Sequence, residues 1–215
     1  MITPPKYPRT YHHPCSPGLQ NDDRVHTNPN LLIGKEIIVT EKIDGGNTAI
    51  LNGEIFARST GQVATQGWFR FVKKHHAWKT IGKDYILYGE EFAAKHSIEY
   101  TVEEENTYNI FAVVRNNKFL SWDEIILISN SLQINTVPVL FRGIMKTDLD
   151  LQNFFNFEIK NPSKYGSERE GFVVRIADEF NFNDFDKFAL KYVRKNHVQT
   201  DEHWTKNWTW NNLKG

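Results

Sequence analysis

Lys42 stands in Glu41-Lys42-Ile43-Asp44-Gly45, where the apolar run Ile37-Ile38-Val39 ends and another, from Thr48, begins. A lysine amine is protonated at neutral pH and attacks an electrophile only after losing that proton, which nearby cations make easier. Other short segments hold the groups such an amine would need. Arg58-Ser59 comes sixteen residues after Lys42, and an apolar run ends in Tyr88-Gly89-Glu90. Phe111 lies in a mixed apolar run, Glu170 precedes Gly171-Phe172-Val173-Val174-Arg175, and Lys191 follows Leu190. Read singly, each is at least as well explained as a solvated strand end or a core residue. Read together, they offer a nucleophilic amine, a second cation and carboxylates able to hold a metal.

The elements that must bring these groups together follow from pattern. Lys35 to Ser59 reads as strands, with Asn52-Gly53 turning a hairpin between Thr48-Ala49-Ile50-Leu51 and Ile55-Phe56-Ala57. Trp68, Phe71, Val72, His75 and Trp78 fall at helical spacing, and most of those side chains read as core. Tyr85 to Tyr88 is a buried strand, and Asn116-Asn117 turns a hairpin between Phe111-Val114 and Lys118-Leu120. Ser121 and Glu124 form a capping box that opens a helix to about Leu132. Val137 to Leu140 is extended, Asp148 to Phe155 is a short helix, and two late strands run Gly171–Ile176 and Phe188–Val193. The first thirty residues, rich in Pro, His, Asn and Asp, read as an irregular arm. Residues 195–215, with Trp204, Trp208 and Trp210, read as a tail that packs as a final helix. The expectation is one α+β domain over residues 1–215, with a substantial antiparallel sheet.

Composition narrows the classes. The 215 residues carry 26 basic and 26 acidic side chains, so bulk charge does not mark a nucleic-acid coat. Basic runs at Arg70–Lys79 and Lys187–Lys195 could still steer a polyanion to one face. No stretch reaches the roughly 20 apolar residues of a membrane span. The N-terminus lacks a signal pattern and Cys15 is the single cysteine, so a cytoplasmic setting is expected. His12-His13 and His75-His76 are adjacent pairs that would not converge on one metal.

In this order the motifs resemble those of the covalent nucleotidyltransferase superfamily of ligases and capping enzymes. They are most similar to the ATP-dependent RNA ligase family, particularly its double-strand, nick-sealing branch. The likeness covers nearly the whole chain, including Ser16-Pro17-Gly18 to Asp22-Asp23-Arg24 and His197-Val198-Gln199-Thr200-Asp201. It implies an ATP-grasp-like nucleotidyltransferase domain with antiparallel sheets flanked by helices and no separate oligonucleotide-binding domain. It implies Lys42 as the nucleophile toward the α-phosphorus of ATP, with Lys191 binding the α-phosphate and depressing the Lys42 pKa. Glu90 would hold the ribose and Phe111 would stack on adenine. Glu41 would flank the base edge, and Asp44 and Gly45 complete the nucleotide-binding motif. Glu170 and Glu90 would lie near magnesium, with manganese as an alternative. Asn47, Arg58 and Arg175 would meet the nucleic acid, Arg58 also the ribose-phosphate. The partners implied are RNA ends or a nicked duplex, in a host cytoplasm if the gene is a phage's; no membrane is implied, and nothing indicates a protein partner.

The sequence departs from the family at two places. Ala112 follows Phe111 where some relatives carry an acid, and Val193 holds the place of a second lysine, for which Arg194 or Lys195 are the substitutes. Arg175 can be read as a partner of Glu170 or as an RNA contact. Other readings are a small DNA ligase, a capping guanylyltransferase, an RNA-end-binding protein without activity, and a partner-dependent adenylyltransferase module.

Overall fold

A computed structural model describes residues 3–20, 23–58, 62–196, 205 and 207–214. Ser59, Asp22, the segment 197–201 and Trp204 lie outside them. The strands in chain order are β1 (Tyr11–His12), β2 (Glu36–Lys42), β3 (Gly46–Leu51), β4 (Glu54–Ala57), β5 (Ile86–Glu91), β6 (Thr101–Glu103) and β7 (Tyr108–Arg115). They continue with β8 (Lys118–Phe119), β9 (Val139–Ile144), β10 (Gly171–Ile176), β11 (Phe180–Asn181), β12 (Ala189–Val193) and β13 (Asn212–Lys214). The helices are α1 (Arg70–His75), α2 (Trp122–Leu132), α3 (Asp148–Glu158) and α4 (Phe185–Phe188).

Two largely antiparallel sheets face each other. The first has the order β1-β12-β10-β2-β9 and the second β11-β8-β7-β5-β3-β4. The hairpin turns follow their sequence signals. Asn52-Gly53 and Asn116-Asn117 all have positive φ, the backbone that two-residue hairpins need. Ser121 and Glu124 close both halves of the capping box on α2. Thr147 and Asp150 do the same on α3, which runs three residues beyond the expected Phe155.

Alternation along the strands divides each sheet into a scaffold face and a cavity face. On the outer face of the first sheet, Phe172 and Tyr192 stack on Phe155 of α3, with ring centroids 5.5 and 4.8 Å apart. Thr40, Val173 and Lys191 are aligned across β2, β10 and β12 on the opposite face. The second sheet turns Ile50, Leu87 and Val113 toward the cluster that holds Trp122 and Ile125 of α2. Its other face carries Asn47, Tyr88 and Glu90.

Both ends of the chain depart from expectation. The arm is built into the first sheet: β1 pairs in parallel with β12, His12 opposite Lys191, and Ser16 Oγ accepts from Val193 N–H. Gly18 lies so close to the end of β12 that a Cβ there would meet the Val193 carbonyl at 2.8 Å. Pairing satisfies the backbone of residues whose side chains carry no strand periodicity, which is why pattern alone missed it. Of the tail, expected as a helix, the described stretch Asn212–Lys214 instead forms β13 and pairs in parallel with β6. Trp208 and Trp210 meet edge to face at 4.6 Å.

Candidate active site

The two sheets enclose a cavity of about 610 Å³. Lys42 closes β2 and Glu170 precedes β10, and the β2/β10 register sets Lys42 opposite Gly171. The Lys42 amine donates to Glu170 Oε2 at 2.7 Å, with the lysine side chain a quarter exposed and the glutamate 6% exposed. Lys191 enters from β12 on the same face. Its amine donates to Asp23 Oδ1 at 3.1 Å. Glu90, on β5, faces them from the second sheet, opposite Asn47 in the register.

The electrostatics follow from burial. Burial by itself would lower the Lys42 pKa, but Glu170 and Glu90 outweigh it and hold the amine above its ordinary value. The carboxylates thus hold the amine charged, and the depression that the resemblance implies calls for a bound divalent ion as well as Lys191. Lys191 is lowered, first by burial and then by the charge on Lys42. Glu90 is pushed up to about 8 and Glu170 to about 7, both chiefly by burial and in spite of Lys42. These carboxylates lack enough positive charge around them, which is what a divalent cation would supply. Among the described residues no three His, Cys, Asp or Glu are grouped to hold a metal. Glu90 and Glu170 would thus fit an ion that takes its remaining ligands from phosphate and water.

The other expected residues divide. Phe111 and Arg58 both line the cavity. Phe111 is the bulged residue of β7: Tyr88 pairs with Ala112 and Gly89 with Ile110, which leaves Phe111 without a partner on β5. A bulge re-aims a side chain next to a site. Arg58 Nε donates to the Tyr7 carbonyl at 3.1 Å. Asn47 lines the cavity with a buried Oδ1 that accepts no hydrogen bond among the described residues. Arg175 also lines it, but is buried and does not pair with Glu170. Its Nη2 donates to the Leu120 and Asp178 carbonyls and its Nε to that of Ile176, while Nη1 has no partner among the described residues.

Glu41 and Asp44 spend their carboxylates on the scaffold. The Glu41 carboxylate is fully buried and accepts from Ser163 Oγ and, at 3.2 Å, from Lys164 N–H, with Arg169 Nε 3.6 Å away. Asp44 accepts from the N–H groups of Ser97 and Ile98 at 2.7 and 2.8 Å. Gly45 is required by packing, since a Cβ there would lie 2.5 Å from the Glu91 carbonyl. Val193 is buried, and Arg194 pairs with Glu168 at 2.8 Å instead of lining the cavity.

Sequence reasoning missed the contribution of the arm. Lys6, Tyr7, Arg9 and Asp23 all line the cavity. The Tyr7 ring packs edge-on against Phe111 at 5.0 Å, and the Tyr88 hydroxyl donates to the Pro5 carbonyl at 2.6 Å. The available signal was composition: Lys6-Tyr7-Pro8-Arg9 sets an aromatic ring between two cations in a stretch otherwise read as filler.

The RNA ligase family's sequence profile matches residues 35–193, about three quarters of the chain. No curated protein matches. Among solved structures, an archaeal ATP-dependent RNA ligase superposes with a TM-score of 0.54 at 15% identity, over 87% of this chain and 48% of that one. A Naegleria gruberi RNA ligase variant solved with ATP and manganese gives 0.59 at 16% identity, over 92% and 59%. A putative ATP-dependent DNA ligase from Aquifex aeolicus gives 0.51 at 18%, over 82% and 50%. The chain thus spans about half the length of these structures, and at such identities they establish its fold, that of the ligase nucleotidyltransferase domain. The profile establishes more: this chain belongs to the RNA ligase family.

Proposed function

We propose that the protein joins RNA 3′-hydroxyl and 5′-phosphate ends at the expense of ATP, through AMP carried on Lys42. The observation that supports this best is the Lys42–Glu170 pair, whose lysine lines the cavity together with Glu90, Lys191, Arg58 and Phe111. That cavity is within the size range of small-molecule sites and offers both cations and an aromatic ring to a nucleotide.

Lys42 Nζ would attack the α-phosphorus of ATP, forming a P–N bond while the bond to pyrophosphate breaks. A phosphate oxygen of the RNA 5′-end would next displace Lys42, leaving AMP on that end. The 3′-hydroxyl would then attack the same 5′-phosphorus, expelling AMP and forming the phosphodiester. Lys191 would bind the α-phosphate, Phe111 the base, Glu90 the ribose, and Arg58 with Asn47 the phosphate or nucleic acid. A magnesium or manganese ion held by Glu90 and Glu170 would offset phosphate charge and cancel the field that keeps Lys42 protonated. Before reaction, the 2.7 Å hydrogen bond that Lys42 donates to Glu170 holds the amine in place. Positioning and charge carry most of such a transfer, so the loss of one ligand is severe.

The test is transfer of label from α-phosphate-labelled ATP to protein first stripped of AMP with pyrophosphate, followed by sealing of nicked and single-stranded RNA. Label from ATP and not GTP, lost in Lys42→Ala, is expected. An unlabelled wild-type protein would overturn the reading.

A further inference from the structure

The arm delivers an acid to the amine across the cavity from Glu90. Asp23 Oδ1 accepts from Lys191 Nζ at 3.1 Å, and Oδ2 lies 3.0 Å from His12 Nε2. His12 is itself fixed. Its backbone pairs in parallel with Lys191 on β12, and its Nδ1 lies 2.8 Å from Ser16 Oγ. Ser16 Oγ in turn accepts from Val193 N–H at 2.9 Å, two residues beyond Lys191. The Asp23 carboxylate also accepts from Gln20 N–H at 3.1 Å, which closes the local turn. Ser16, His12 and Asp23 thus form a chain that starts on β12 and returns to it at the lysine.

We propose that Asp23 is a positioning residue for the first chemical step: it orients the Lys191 amine toward the α-phosphate. The inference rests on the role proposed above for Lys191. A lysine amine has three donors on a flexible stem, and a single point charge does not set its direction. Among the described residues Asp23 is the only hydrogen-bond acceptor for this amine. Engaging one donor leaves two for the cavity and fixes where they point. The carboxylate suits this task because it stays charged. Burial alone would raise its pKa, but the Gln20 amide and Lys191 bring it below its ordinary value. The imidazole stays neutral, since burial and then Lys191 push His12 down to about 4. The cluster therefore keeps one negative charge against one lysine.

A carboxylate that acts through Lys191 should change the rate of adenylylation more than ATP binding. The experiment measures single-turnover label transfer from α-labelled ATP, with the ATP KM and the thermal midpoint, for wild type, Asp23→Asn, Asp23→Glu, Lys191→Arg and Asp23→Asn with Lys191→Arg. Asp23→Asn is expected to slow the maximal rate roughly ten- to a hundredfold while KM moves less than about threefold. Asp23→Glu should recover most of the rate. In the Lys191→Arg background the Asp23 change should cost much less than it does alone, because its target has changed. Asp23→Asn labelling at the wild-type rate would overturn the proposal, as would losses that multiply independently or a slow rate explained by unfolding at the assay temperature. If wild type itself takes no label, the proposed function fails, an outcome distinct from an unaffected Asp23 variant.

Discussion

Two carboxylates, Glu41 and Glu170, lie within one strand pair of each other, and their surroundings differ. Glu41 is opposite Phe172 in the register, and although the residue lines the cavity, its carboxylate is held by Ser163 and Lys164 with Arg169 beside it. Glu170, just before β10, has the cavity-lining Lys42 as its partner, and burial lifts its pKa to about 7. Burial raises both pKa values, yet Glu41 is met by several scaffold donors, whereas among the described residues Glu170 has the Lys42 amine as its one hydrogen-bond donor. Buried polar groups that are fully paired rigidify a fold, whereas those left in deficit mark places where a ligand completes the set. The same contrast separates Asp44, which two backbone N–H groups hold, from Glu90, which stands in the cavity at a pKa of about 8.

The contrast breaks most directly at Glu170. Glu170→Gln should slow label transfer from ATP by roughly a hundred- to a thousandfold with a folded, cooperatively melting protein. A variant labelling within threefold of wild type would remove Glu170 from the chemistry. Glu41→Gln should do the reverse. Leaving Arg169 and Ser163 around a neutral amide should cost about 1–3 kcal/mol, read as a drop of several degrees in thermal midpoint, with a smaller kinetic effect than Glu170→Gln. A kinetic collapse without loss of stability would place Glu41 in the chemistry.

The smallest effect concerns the cost of a charge-deficient site. A carboxylate whose folded pKa is raised stabilises the folded state below its unfolded pKa, near 4.5, and that contribution is lost as pH rises through the folded value. For Glu90 the window runs from about 4.5 to about 8. The ligand-free protein should therefore lose part of its stability across that range, and Glu90→Gln should flatten the loss and melt a few degrees higher at pH 8 while labelling poorly. A variant that melts lower than wild type at pH 8 would show Glu90 to be a scaffold residue like Glu41. Thermal melts at intervals between pH 5 and pH 8 decide it.

The longer strands, both hairpin turns and the start of α2 are local properties, and the sequence was enough to read them: alternation, Asn-Gly and Asn-Asn turns and a capping box each act within a few residues. The order of Lys42, Glu90, Glu170 and Lys191 was legible for the same reason, as each sits at the end of, or within, a strand with a recognisable pattern. Long-range pairing was not legible. The β1 pairing with β12 joins residues about 180 positions apart through backbone groups that every residue possesses, so no side-chain pattern announces it. The tail failed likewise, because its tryptophans are compatible with a helix until β6 offers a strand edge. Side-chain roles needed the fold as well. Nothing in Glu41-Lys42 says that alternation on β2 sends the acid to the scaffold and the amine to the cavity, or that Arg175 ends among backbone carbonyls. Sequence alone singled out the residues proposed to carry the chemistry and the longer strands that hold them. Tertiary structure alone decided which of those charges are satisfied, because satisfaction depends on distances across β2, β10 and β12 and on an arm whose own sequence has no periodicity.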